Sequence, residues 1–402
     1  MQTRIPRETF FPDIPAMTSL LVKPVGAACN LRCSYCFYHP EDRGASLSVM
    51  GPEILEMLIT ELLRLPVAEL SICWQGGEPL LAGLDFYKRA VRLQYGLNQN
   101  RTLTNSIQTN GLLINRQWAT FLSKNDFLVG LSLDGPKDLH DSYRIDSRKQ
   151  GSWDLVMDAA KHLQDALVPV NALCCVSAQT VSRVEEVFSF FLEQGFSHVQ
   201  FIPLLEAKSS DKSELASFSL SSDAYAVFLC RLWDLWVEAL RKGKGMGIRF
   251  FESFCHVAFG LAPTLCEMHP VCGGYVVVEH DGALYPCDFF VNEYWKLGTL
   301  DQGLPEVVFS PKARHFNEIR LMLQPECRQC PCRKWCHGGC LKYRKVGSRL
   351  YPKTYFCAAY RHFFAHAQVD LPLVSRLVMG SDCPSQNSQI ISENDLSGVE
   401  QE

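Results

Sequence analysis

The sequence predicts an α/β fold. Six βα units build a parallel sheet, open or partly closed into a barrel, and a smaller cysteine-rich region follows. Three observations carry that expectation. Short apolar runs alternate with amphipathic stretches from residue 21 to residue 205, the pattern of repeated βα units. The chemically distinctive residues of that half stand just behind strand-like runs, where parallel α/β folds place their sites. Nine cysteines then crowd into the stretch from Cys266 to Cys357.

The run LLVKP, ending at Pro24, is the first strand and leads into the loop CNLRCSYCFY, Cys29 to Tyr38. PEILEMLITELLRL (Pro52 to Leu65) has apolar residues at helical spacing, with Pro52 at a helix-start position. LSICW (Leu70 to Trp74) is the second strand, followed by QGGEP, and a helix starts near Leu84. LTNSIQTN (Leu103 to Asn110) is the third strand; FLVGLSLDG (Phe127 to Gly135) is the fourth strand and its turn. WDLVMDAAKHLQDA is helical, VPVNALCCV is the fifth strand, and VEEVFSFFLEQG is a helix closed by its glycine. HVQFIPLLE (His198 to Glu206) is the sixth strand. The cysteine loop, QGGEP, QTNG, SLDG and PLLE therefore share one mouth of the sheet.

Beyond it, SSDKSELASFSL (Ser209 to Leu220) reads as a polar linker. AYAVFLCRLWDLWVEALRKG (Ala224 to Gly243) is an amphipathic helix whose Trp233, Trp236 and Leu240 belong to the core. The polar stretch after Met379 is expected to be disordered, with Cys383 an idle thiol.

The 402 residues are 47% hydrophobic and 20% charged, with a formal net charge of −4. No basic excess supports nucleic-acid binding as the main task. The first residues hold no signal-peptide core, and no run nears the roughly 20 apolar residues that span a bilayer. The expected location is the cytoplasm. Eighteen cysteines in a reducing compartment read as metal or redox sites where they cluster. Cys73, Cys174 and Cys175 sit in strand-like runs and read as small core residues.

Cys29, Cys33 and Cys36 are spaced C-x3-C-x2-C. A zinc site needs a fourth ligand, and His39 stands three residues past Cys36. In an iron–sulfur cube, three thiolates leave one iron open, as catalytic metal sites do.

With GGEP behind the second strand, this loop resembles the radical S-adenosylmethionine (SAM) enzymes. The resemblance implies that the open iron chelates SAM, that His39 is a loop residue, and that reductive cleavage yields a 5′-deoxyadenosyl radical which abstracts hydrogen. Gly76, Gly77 and Glu78 would meet the methionine amino group. Tyr35 and Leu205 would contact adenine through their backbones. Ser132 and Arg144 resemble groups that bind the methionine carboxylate and ribose.

Cys272 and Cys287 flank Gly282, read as a hairpin turn, and Cys327 to Cys340 reads C-x2-C-x5-C-x3-C, followed by Cys357. These seven cysteines match the SPASM extension of the same enzymes, and Cys266 supplies an eighth thiolate. The resemblance implies one auxiliary cluster on Cys266, Cys272, Cys287 and Cys340. A second would use Cys327, Cys330, Cys336 and Cys357, with Cys332 no ligand. The chain would then hold three 4Fe–4S clusters, one open and two closed. The fold becomes a partial (βα)6 parallel barrel with a SPASM-type auxiliary-cluster domain. Expected bounds are 1–17 for an N-terminal extension, 18–208 for the barrel and 209–262 for a linker and helical connection. The SPASM-type domain takes 263–362, and a helix with a polar tail takes 363–402.

The segments WQGGEPLLAGLDFY, QTNGLL, FLVGLSLDGPKDLHDSYR, QFIPLLE and GALYPCDFF are similar to anaerobic sulfatase-maturating enzymes from about Leu20 to Arg361. These oxidise a Cys or Ser of a sulfatase to Cα-formylglycine. By that resemblance Asp288 is the base, Tyr38 and Gln75 contact the substrate peptide, and the partner is a sulfatase with a C/S-x-P-x-R-type motif. A flavodoxin or ferredoxin is the expected reductant, and the chain is expected to act as a monomer. The rivals are a SPASM maturase that crosslinks or epimerises peptides, and a non-catalytic iron–sulfur or zinc protein.

Overall fold

The computed structural model describes residues 18–38, 47–98, 101–208, 211, 213–346 and 349–379. His39, Cys383, the N-terminal extension and the polar tail lie outside the described residues.

Six strands follow the predicted order: β1 (Ser19–Val22), β2 (Glu69–Trp74), β3 (Thr102–Thr109), β4 (Leu128–Ser132), β5 (Val170–Val176) and β6 (His198–Pro203). Each is parallel to the next. The sheet does not end there. A two-residue β7 (Gly247–Ile248) extends it beyond β6. On the other side, β8 (Tyr275–Val278) lies parallel to β1, with Leu20 opposite Val276. Strands β9 (Ala283–Tyr285) and β10 (Gly298–Thr299) follow antiparallel, giving ten strands in the order β10-β9-β8-β1-β2-β3-β4-β5-β6-β7. The sheet stays open. Its β8–β9 turn is the one expected at Gly282, whose φ of +84° suits glycine.

The crossover helices bury apolar stripes against the sheet. In the helix Pro52–Leu62 the stripe is Leu55, Leu58, Ile59 and Leu62. This helix stops three residues short of the predicted Leu65, because Pro66 disfavours helical backbone at the residue before it. Leu65 instead turns into the core, 1% exposed. The helix Ser222–Arg241 buries Trp233 and Trp236 as expected, and Trp233 packs edge-on against Phe363 of the helix Cys357–Ala367. The polar run before it does more than connect. Leu220 is fully buried, and Phe218 packs within 6.3 Å of Tyr35 and 6.2 Å of Tyr143, ring centre to ring centre.

Candidate active site and iron–sulfur centres

The loops behind β1, β2 and β3 form one block. Gly77 N–H donates to the Gly26 carbonyl and Glu78 N–H to the Ala28 carbonyl, each at 2.8 Å. A Cβ on Gly77 would overlap the Ala28 carbonyl, and one on Gly76 would stand 2.9 Å from the Gly26 oxygen. The two glycines thus let GGEP lie flat on the cysteine loop. Glu78 is fully buried and accepts from Leu80 N–H (3.0 Å), the Thr109 hydroxyl (2.7 Å) and Asn110 N–H (2.8 Å). Burial pushes its carboxyl up to about 7 against those donors. Asn110 reaches on to Asn30 at 2.7 Å and to Cys29 Sγ at 3.7 Å.

Cys29, Cys33 and Cys36 lie half-buried within electrostatic reach of one another. Burial pushes the Cys29 thiol up to about 12 and raises Cys33. Thiolates here need a cation in their midst, and a three-thiol set fits a 4Fe–4S cluster with one open iron. Arg144 acts on Cys33 from the side. Its guanidinium is paired with Asp134 at 2.9 and 3.2 Å, and Asp134 also takes the Tyr35 hydroxyl and the Cys175 N–H. Cys175, read from sequence as plain core, lies 3.8 Å from Arg144 Nη2 in this network. Ser132 ends β4 half-buried; Leu205, 1% exposed, belongs to the core through its side chain.

The β8–β9 hairpin carries Cys287 and Asp288 to the end of β1. There Asp288 forms an ion pair with Lys23, their side chains 7% and 1% exposed. Gln75 Nε2 donates to Asp288 Oδ2 at 3.2 Å. The Lys23 ammonium lies 3.4 Å over the Tyr38 ring, whose hydroxyl donates to Glu279 at 2.6 Å. The three residues expected to handle substrate, Tyr38, Gln75 and Asp288, therefore converge. Beside them Phe37 and Phe289 pack at 4.8 Å, and Lys342 covers both rings while pairing with Glu206.

The remaining cysteines fall into two groups. Cys266 feels Cys340 and Cys272, Cys287 feels Cys340 and Cys266, and Cys340 feels Cys272. Tyr275 Oη stands 3.3 Å from Cys287 Sγ. Buried Arg320 donates to the Cys266 and Glu267 carbonyls. Cys327, Cys330, Cys336 and Cys357 line one cavity, which Lys353 and Arg361 also face. Cys332 lines it too, buried, with its thiol hydrogen-bonded to Cys330. Thr354, on the same wall, has a buried hydroxyl without a hydrogen-bond partner. Burial pushes Cys336 up to about 12 and Cys340 up to about 11. Cys330 runs the other way, lowered to about 6 chiefly by a hydrogen bond from Cys332. Two four-thiol groups, most of whose thiolates burial disfavours, fit two closed cubes.

Sequence reasoning missed Lys23, Asp134, Glu279 and Arg320. A lysine at the end of a buried parallel strand, in LLVKP, was the one visible signal. The other three acquire partners only through the fold.

A family profile described as the radical SAM superfamily matches residues 24–191, and an iron–sulfur cluster-binding SPASM profile matches residues 266–331. A cysteine-type anaerobic sulfatase-maturating enzyme of Clostridium perfringens (strain 13 / Type A) is 38% identical over 356 residues, covering 87% of this chain and 96% of that relative. A serine-type enzyme of Bacteroides thetaiotaomicron is 32% identical over 398 residues, covering 94% and 96%. The solved structure described as "Native anSMEcpe with bound AdoMet and Cp18Cys peptide" superposes with a TM-score of 0.83 at 36% identity, over 89% of this chain and 99% of that one. The chain belongs to the anaerobic sulfatase-maturating enzymes, radical SAM oxidoreductases with a SPASM iron–sulfur domain.

Proposed function

We propose that this chain binds a C/S-x-P-x-R-type segment of a sulfatase at the mouth between β1, β2 and the β8–β9 hairpin, and oxidises its Cys or Ser to Cα-formylglycine. The observation that carries this reading is the placement of Asp288. It is buried beside Cys287 of the first four-thiol group, and Gln75 and Lys23 hold it at the strand end that feeds the three-cysteine loop. When bound, SAM and the open cluster supply the radical that takes hydrogen from the substrate Cβ.

The chain's own residues do the rest. Cys29, Cys33 and Cys36 hold the open cluster. Gly76 and Gly77 let their loop lie against the cysteine loop, and Glu78 fixes that loop to β3. Tyr35, Ser132, Arg144 and Leu205 line the SAM site, with Asp134 locking the Arg144 guanidinium in place. Gln75 and Tyr38 position the peptide. Asp288 accepts the substrate's thiol or hydroxyl proton, and the Lys23 charge keeps its carboxylate oriented in a buried setting. Cys266, Cys272, Cys287 and Cys340 hold the auxiliary cluster next to this base; Cys327, Cys330, Cys336 and Cys357 hold the other. The domain bounds given above, a monomeric state and a cytoplasmic setting with a flavodoxin or ferredoxin reductant belong to the same reading. Among the described residues, no helix is long and apolar enough to cross a membrane.

The test is anaerobic incubation of the iron-reconstituted chain with SAM, dithionite and C-x-P-x-R and S-x-P-x-R peptides, followed by mass spectrometry. Formation of the aldehyde on either peptide is expected. Deoxyadenosine without change in either peptide would refute the substrate class.

A further inference from the structure

Residues 311–362 carry twelve Lys and Arg but only two carboxylates, Glu318 and Glu326, in a chain of net charge −4. Some of these cations face inward. Lys353 and Arg361 line the cavity of the second four-thiol group, and Arg320 is buried by the first. Others face out. Arg328, Arg333 and Lys334 are exposed, and among the described residues none of them meets a carboxylate. Arg328 lies on the short helix Pro325–Gln329, and Arg333 and Lys334 on Arg333–Cys336, the same turns that present Cys327, Cys330 and Cys336. Arg333 donates to the Arg328 carbonyl at 3.2 Å, so the two turns meet, and Arg333 reaches the cavity wall. A bound cluster with its thiolates offsets the inward cations. Arg328, Arg333 and Lys334 remain as a positive rim along the turns that present these cysteines.

We propose that this rim is the docking surface for a small acidic one-electron carrier protein, which exchanges an electron with the cluster on Cys327, Cys330, Cys336 and Cys357. The inference rests on the proposed function for the redox role of that cluster. Charge complementarity selects the partner. Redox encounters bury little area, so electrostatic steering sets their rate and orientation. A one-electron protein carrier matches what the rim borders, a cavity lined by cysteines. The step balances: an electron left by substrate oxidation on a cluster that Cys327, Cys330, Cys336 and Cys357 would hold would pass to the oxidised carrier, which would fall by one oxidation level with no bond broken.

The test uses the reconstituted full chain and a purified acidic flavodoxin, with affinity measured anaerobically at low and high ionic strength. One variant combines Arg328→Glu and Lys334→Glu. A control reverses two exposed cations of the barrel helices, Lys88→Glu and Lys161→Glu. The rim variant is expected to bind flavodoxin roughly ten-fold more weakly at low salt and to lose most of its salt dependence. Its iron content and dithionite-driven deoxyadenosine formation should match the parent, and the control should bind as the parent does. Equal weakening by both variants, or unchanged flavodoxin binding by the rim variant, overturns the proposal. So does a rim variant that loses heparin binding alone, which would assign the rim to polyanions. Peptide oxidation is not part of this readout, so failure of the sulfatase reading and failure of the docking reading give different results.

Discussion

The cysteine loop behind β1 and the cysteines of the C-terminal region use the same side chain to opposite ends. The first set comes from eight consecutive residues, Cys29 to Cys36, and offers three thiols. The C-terminal sets are gathered from four separate stretches, and Cys340 leaves the neighbours of its own run to join Cys266, Cys272 and Cys287. Four thiols close a cluster; three leave a coordination site for a reactant. Local spacing suffices for the open site because its reactant completes it. In the proposed assignment the closed sites need long-range contacts, since Cys340 meets Cys266, Cys272 and Cys287 from distant stretches.

The largest break in this comparison is Cys33→Ala. Deoxyadenosine formation should fall below detection, and iron should drop from about twelve to about eight per chain, measured by chromatography and iron assay. Asp288→Asn acts between the two kinds of site. It should still cleave SAM while aldehyde yield falls about 100-fold or more, read by mass spectrometry of the peptide; parent-like yield would remove Asp288 from the mechanism. Asparagine keeps an oxygen for Lys23, so the fold should survive.

A smaller effect comes from His140, buried behind Asp134 and Arg144. Its Nδ1 accepts from Asp134 N–H at 3.3 Å, and its other ring nitrogen meets Ser152 at 2.9 Å. Burial lowers its pKa from 6.5 to about 4. The unfolded chain therefore binds a proton near pH 6.5 that the folded chain refuses until about pH 4. His140 should cost about 3 kcal/mol of stability as pH falls through that window, with none lost above it. Denaturant unfolding of the metal-free chain from pH 7 to pH 4 should show this slope, and His140→Asn should flatten it. The smallest effect is expected of Cys332→Ser. Iron content should stay at about twelve per chain; loss of about four irons would make Cys332 a ligand of the second group.

Much of this was legible in the chain. The six parallel strands appeared in order because each carries its own apolar pattern, and the loop motifs fell at one mouth because parallel topology leaves no alternative. The helix end at Leu62 was missed by ignoring Pro66, a local cue. Lys23 and Asp134 were missed for another reason. Lys23 pairs with Asp288, far away in sequence, and Asp134 pairs with Arg144 only after the short turn between them folds back, so no periodic pattern announces either pair.

By itself, then, the sequence determined the βα alternation, the three-thiol loop and the stock of eight further thiols, since these depend on periodicity and short spacing. Only the tertiary structure decided that β8 would pair with β1. That pairing carries Asp288 onto Lys23 and Gln75 and places Cys287, next to Asp288 in the chain, beside Cys340. The physical reason is that register between strands more than 250 residues apart is set by backbone hydrogen bonding and burial across the whole sheet, which no local pattern encodes.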